Sequence, residues 1–90
     1  MRINYEVVFQ VANKFRQKSS DSQSMLNELS NSVKGMEAEF EGMAAQRFYG
    51  DFVQWQQEMN KHVEMLNGIG AELDRIGNTI KSAEEQASRR

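Results

Sequence analysis

Phe40-Glu41-Gly42-Met43-Ala44-Ala45-Gln46-Arg47-Phe48 lies close to the middle of the chain, and its reading decides the fold. A long segment with helical periodicity runs to either side of it, and the whole sequence lacks proline. A glycine just past a periodic run is the usual helix stop, because without a Cβ it accepts the left-handed conformation at no steric cost. Residues 40–43 therefore read as a hairpin corner, with one long helix arriving and another leaving. Glu37, Glu39 and Glu41 suit the second helix better than the first, since carboxylates favour a helix N-terminus and oppose a C-terminus.

Upstream of the corner, Asn4 is placed to cap a helix, with Glu6 in its first turn. From there Tyr5, Val8, Ala12, Phe15, Ser19, Ser22, Leu26, Leu29, Val33, Met36 and Phe40 follow one another at alternating spacings of three and four. That is the seam of a coiled-coil-like packing surface, and only Ser19 and Ser22 are polar in it. The stretch Lys18 to Ser24 is serine-rich and competes with helix through its own side-chain hydrogen bonds. The stripe nevertheless resumes at Leu26 in the phase it left at Phe15, so one helix is expected over about residues 5–39.

Downstream, Ala45, Phe48, Phe52, Trp55, Met59, His62, Leu66, Ile69, Leu73, Ile76, Ile80 and Ala83 repeat the alternation. They predict a second helix over about residues 44–84, fraying after Ser82 to Glu85. Each helix would hold roughly 35–40 residues and run on the order of 50–60 Å. A corner this short forces the helices antiparallel, with facing residue numbers summing to about 83–84. Ser22 then lies opposite His62. The chain reads as one domain, a helical hairpin.

Composition narrows the function. Ninety residues form one domain at most, and a chain this short is marginal unless stapled, metallated or oligomeric. Cysteine is absent, which excludes disulfides and thiolate metal sites, and a single histidine cannot build a zinc site without several carboxylates. No metal and no cofactor is expected. Eleven basic and 13 acidic residues leave a net charge of −2, and no basic cluster marks a nucleic-acid footprint. The opening apolar run, Val7-Val8-Phe9, is far too short for a signal h-region or a spanning helix. A cytosolic protein is expected, or one exported by a route that reads the folded chain. The class is all-α.

One hairpin does not use up the apolar surface. Beside the second stripe run Tyr49, Gln56, Val63, Gly70 and Gly77, small or uncharged and seven apart. Glycine inside a helix costs roughly 1 kcal/mol against alanine, so Gly68, Gly70 and Gly77 suggest that another helix comes close there. The hairpin is thus expected to pair with a second hairpin into an antiparallel four-helix bundle. Self-pairing is the default, because two-fold homodimers are the commonest soluble oligomers, and a related hairpin is the alternative partner. The expected packing residues are Phe15, Leu26, Leu29, Phe48, Phe52, Trp55, His62, Leu66, Ile69, Gly70 and Leu73.

With the corner and both stripes in place, the chain resembles the Trp-Xaa-Gly family of about hundred-residue proteins, the early-secreted-antigen-like substrates of type VII secretion. That family has a two-helix hairpin with Trp-x-Gly in the bend, then a small residue and spaced aromatics. Here Phe40-Glu41-Gly42 stands in the bend, followed by Ala44, Phe48 and Phe52 at the family's spacing. Phenylalanine replaces the tryptophan, so an aromatic still plugs the hairpin end without an indole donor. The resemblance implies a protein made in the cytoplasm and secreted without a cleaved signal peptide. It also implies engagement of the secretion ATPase, and membrane contact only through that machinery. Many members or their partners carry a C-terminal Tyr-x3-Asp/Glu signal, whereas no tyrosine follows Tyr49 here. Ile80, Glu84 and Ala87 fit a looser hydrophobic-x3-acidic-x2-hydrophobic pattern. Either this degenerate signal serves, the partner supplies one, or the tail is truncated.

No catalytic arrangement emerges, since a nucleophile needs a base that a third group orients, and Ser22 near His62 in a packed bundle would have no substrate pocket and no oxyanion donor. His62 reads as a polar layer that sets register, with a pH-sensitive interface as the sharper alternative. Trp55 reads as a core anchor. The expected function is a non-enzymatic secreted effector, or a carrier or chaperone, working through dimerisation. The rival is a cytosolic coiled-coil adaptor with no export role.

Overall fold

The computed structural model describes residues 4–88, which form α1 (Tyr5–Met36) and α2 (Met43–Ser88) and no strand among them. The two antiparallel helices make a rod of 73 × 16 × 16 Å. This is the all-α helical hairpin expected.

Asn4 opens α1 in an extended conformation, its side chain accepting a hydrogen bond from the Glu6 backbone N–H at 3.0 Å. The helix then passes through the serine-rich stretch without a break. It stops at Met36, three residues before the expected end. The carboxylates of Glu37 and Glu39 would sit on the negative pole of a longer helix. The chain instead tightens into a turn, with the N–H groups of Glu39 and Phe40 both donating to the Met36 carbonyl at 3.0 Å.

Gly42 has φ 109°, the left-handed region that an L side chain rarely adopts. It does not close α1, as the sequence suggested, but opens α2. Its carbonyl accepts the first bond of that helix, from the Gln46 N–H at 3.0 Å. Gly42→Ala should therefore cost about 1–2 kcal/mol through backbone strain alone, since no atom blocks a Cβ there. A thermal unfolding midpoint unchanged in the variant would count against this.

Residues 81–88 remain helical although they lie beyond the reach of α1 and are all exposed. The expected fraying after Ser82 to Glu85 does not occur. Lysine, alanine, glutamate and glutamine are good helix formers, and this local propensity carries the helix on without a packing partner.

The seam between the helices is narrow. Ala12, Ser19 and Leu26 are buried on α1, and Ala45, Val63, Gly70 and Gly77 on α2. A Cβ on Gly70 would lie 3.2 Å from the Ala12 carbonyl oxygen, and one on Gly77 would lie 2.6 Å from Cε1 of Phe9. The helix that approaches these glycines is thus α1 of the same chain, not a second hairpin. Ser19 is 2 % exposed and donates to the Val63 carbonyl at 3.0 Å, so Val63, and not His62, meets the serine notch. The expected Ser22–His62 pairing inside the hairpin gives way to Ser19–Val63.

Candidate functional site

A helix turns about 100° per residue, and this sorts the side chains of α2. The file 49, 56, 63, 70, 77, half-buried at its first two members and buried at the last three, points at α1. The file one residue earlier, Phe48, Trp55, His62, Ile69 and Ile76, is rotated by that angle and faces out of the hairpin plane. Phe48 is 39 %, Ile69 37 % and Ile76 43 % exposed, His62 is exposed and Trp55 half-buried. On α1 the file one residue before Ala12, Ser19 and Leu26 holds Val11, Lys18 and Met25, of which Val11 and Met25 are 37 % and 42 % exposed. Because the helices are antiparallel, the same backward step turns both files to the same side. Phe15, Leu29, Phe52, Leu66 and Leu73 lie between these files and the seam. Together they make a largely apolar face along the hairpin, broken at mid-length by Lys18 and His62.

The other edge shows the converse. Four residues on from Ala12 and Gly70 stand Arg16 and Asp74, which form an ion pair across the helices. Arg16 also donates to Asn13. Further along the same edge Gln56 donates to Ser30, and Gln23, Asn27, Asn60 and Asn67 line shallow polar grooves. Exposed pairs of this kind contribute little to stability, but they keep this edge wet. The hairpin is therefore two-sided: amides, hydroxyls and one ion pair on one side, large apolar side chains on the other.

The expected packing residues divide accordingly. Leu26, 4 % exposed, and Gly70 belong to the hairpin seam. Phe15, Phe52, Trp55, Leu66 and Leu73 are half-buried at its margin, while Leu29, Phe48, His62 and Ile69 stand exposed on the apolar face. The Arg16–Asp74 pair escaped the sequence reading, since 58 residues separate its members and no local signal links them.

The bend end carries an aromatic ladder. The ring of Phe40 meets Phe48 at 6.2 Å and Tyr49 at 6.0 Å, Phe48 stacks on Phe52 at 6.1 Å, and Phe52 stacks on Trp55 at 5.5 Å. Such pairs contribute about 0.5–1.5 kcal/mol each beyond buried area. The Tyr49 hydroxyl donates to the Phe40 carbonyl at 2.8 Å and so ties α2 to the turn. Partial burial and the nearby Glu37 and Glu41 carboxylates raise the Tyr49 phenol above its ordinary value, which keeps the donor proton in place. Tyr49→Phe should lower stability by about 1 kcal/mol, read as the urea midpoint, with the aromatic ladder intact in near-UV dichroism. Phe40 thus plugs the end while Glu41 stays exposed, and Gly42 supplies the backbone turn.

Ile80 is half-buried, while Glu84 and Ala87 stand exposed on the overhang of α2. Among the described residues no cluster of histidine and carboxylates could hold a metal ion, and no helix is long and apolar enough to cross a membrane.

This geometry recurs in solved structures. The secreted protein EsxB of Bacillus anthracis str. Sterne aligns with a TM-score of 0.85 at 26 % identity, covering 93 % of this chain and 96 % of that one. EsxA of Geobacillus thermodenitrificans aligns with a TM-score of 0.89 over 100 % of this chain and 98 % of that one, at 18 % identity, a likeness of fold alone. No curated protein matches the chain. The family described as "Proteins of 100 residues with WXG" matches residues 1–85, and the chain belongs to it.

Proposed function

We propose that this hairpin, a small helical substrate of type VII secretion, leaves the cytoplasm without a cleaved signal peptide and acts by binding, not catalysis. Its working form is a homodimer, and its role that of a secreted effector or a carrier for a larger partner. The observation that carries the reading is the apolar face that α1 and α2 leave uncovered on one side. Phe48, Ile69 and Ile76 are each more than a third exposed there, in line along α2. Large apolar side chains gathered on one face mark a binding surface, whereas scattered ones do not. Two hairpins joined through this face make a four-helix bundle.

The fold and family support export. The similar Bacillus anthracis protein is described as secreted, and Glu84 and Ala87 stand exposed on the helical overhang, where a secretion ATPase would reach them. The test is recovery of the protein from culture medium in strains with and without that ATPase. Export is expected to depend on it, and Glu84→Lys is expected to reduce export while leaving the cellular level unchanged. Retention of the protein inside the cell in both strains would favour a cytosolic adaptor instead.

A further inference from the structure

The single histidine of the chain has methionines on every side. Of the six methionines, Met59 stands three residues before His62, Met65 three residues after it, and Met25 opposite them on α1. Helix neighbours three apart have Cβ atoms about 5–6 Å from each other on one face. Met59-x2-His62-x2-Met65 therefore lays thioether, imidazole and thioether along the outward side of α2. The cross-links Ser19–Val63 and Ser30–Gln56 bracket both Met25 and Met59, which stand level with each other across the hairpin.

Helix direction brings these groups together. Side chains on a helix tilt toward its N-terminus. In antiparallel helices that tilt carries Met25 toward the level of His62, and His62 back toward the level of Met59. Met65 leans back over the turn of His62. All four meet at mid-length, where the apolar face is broken. They are not core filling: Met25 is 42 % and Met65 58 % exposed, His62 is exposed, and Met59 is half-buried.

We propose that His62, Met25, Met59 and Met65 form a binding site for a soft monovalent cation, Cu(I), with the imidazole and the thioethers as ligands. All four belong to one hairpin, so the site is independent of the homodimer reading above.

The donor set chooses the ion. Thioether sulfur is neutral and polarisable, and it favours Cu(I) over hard cations. Zinc, calcium and magnesium need several imidazoles, thiolates or oxygens. Among the described residues no group of three histidines or carboxylates offers them a seat. The absence of cysteine removes thiolates and leaves the thioethers as the soft donors. These neutral ligands do not cancel the charge of the ion. Asp21 and Glu58, each one turn before a ligand, help to offset it, while Lys18 and Lys61 oppose.

Titration of the full chain tests this, with Cu(I) held reduced without oxygen against a coloured Cu(I) chelator. A parallel titration uses Ag(I), an ion of the same charge and similar softness that is not oxidised by air. One ion per chain should bind. The methyl NMR signals of Met25, Met59 and Met65 should shift together with the His62 ring, while those of Met36 and Met43 stay in place. Met59→Leu keeps the side-chain volume and should weaken binding by at least about tenfold, since even outer-shell partners of a metal contribute that much. Met43, 84 % exposed, is the control, and Met43→Leu should leave binding as it was. Uptake of several ions, with shifts spread to Met43, would reduce the site to exposed-thioether chemistry and overturn it. Undiminished binding in Met59→Leu or His62→Gln would overturn the ligand set, and Zn(II) bound as tightly as Cu(I) would overturn the choice of ion. Sedimentation of the same samples separates this from the homodimer: a monomer that binds one ion removes the dimer alone, and a dimer that binds none removes the site alone.

Discussion

Replacing Gly70 by leucine should open the hairpin at its seam. Even a bare Cβ at this position would stand 3.1 Å from Cγ of Arg16 and 3.2 Å from the Ala12 carbonyl oxygen. The arginine stem can swing aside, but the carbonyl belongs to a helix backbone and can move only with α1. An isobutyl group needs several ångströms more. Overpacking of this kind costs about 1–3 kcal/mol, at the upper end here because the obstacle is main chain. Leucine recovers roughly 1 kcal/mol of helix propensity over glycine. The expected net loss is about 2 kcal/mol, or a fall of roughly 8–15 °C in the unfolding midpoint of a domain this small. The loss should appear in the hairpin itself, with the Ser19–Val63 and Arg16–Asp74 contacts disturbed in NMR spectra. Unchanged stability with weakened self-association would place Gly70 at the dimer interface and contradict the seam.

Ile69→Glu should do the reverse. Ile69 is 37 % exposed on the apolar face, so a carboxylate there keeps its water in the lone hairpin. In a dimer that covers the face, the charge loses that water without a partner, at an expected cost of about 3 kcal/mol. Self-association should weaken by at least a hundredfold, while helix content measured well above the wild-type dissociation constant changes little. Sedimentation and circular dichroism of the same samples separate the two effects. A variant that stays dimeric at micromolar concentration would remove this face from the interface. The two substitutions sit on adjacent residues, one directed at the seam and the other at the partner, so their contrast tests the facing of α2 directly.

That facing is where sequence reading reached its limit. Two ladders with spacings of three and four run along α2, sharing Ala45, Phe52, Met59, Leu66, Leu73 and Ile80. One adds Phe48, Trp55, His62, Ile69 and Ile76, and the other adds Tyr49, Gln56, Val63, Gly70 and Gly77. Hydrophobicity favours the first as the seam, and periodicity cannot separate them, because both are uncharged and both are helical. In the structure the second ladder meets α1. Ala12 and Ser19 are small, and helices approach most closely where small residues face small residues. The larger side chains are turned outward.

The bend shows the same division. That the chain turns near Gly42 was legible from a single glycine between two proline-free stripes. Which helix the glycine serves was not, because the loss of α1 at Met36 depends on three glutamates, a turn and an aromatic ladder acting together.

The sequence by itself determined that this chain is all-helical, that it folds back once near residue 42, that it belongs among the small Trp-Xaa-Gly-like hairpins, and that one hairpin leaves apolar surface to spare. Local propensity, spacing and the absence of proline and cysteine suffice for these. Only the tertiary structure decided which file of α2 lies against α1, and hence that His62 stands outside the hairpin. The distance of closest approach between two helices is a property of both surfaces at once, and neither stripe carries it alone.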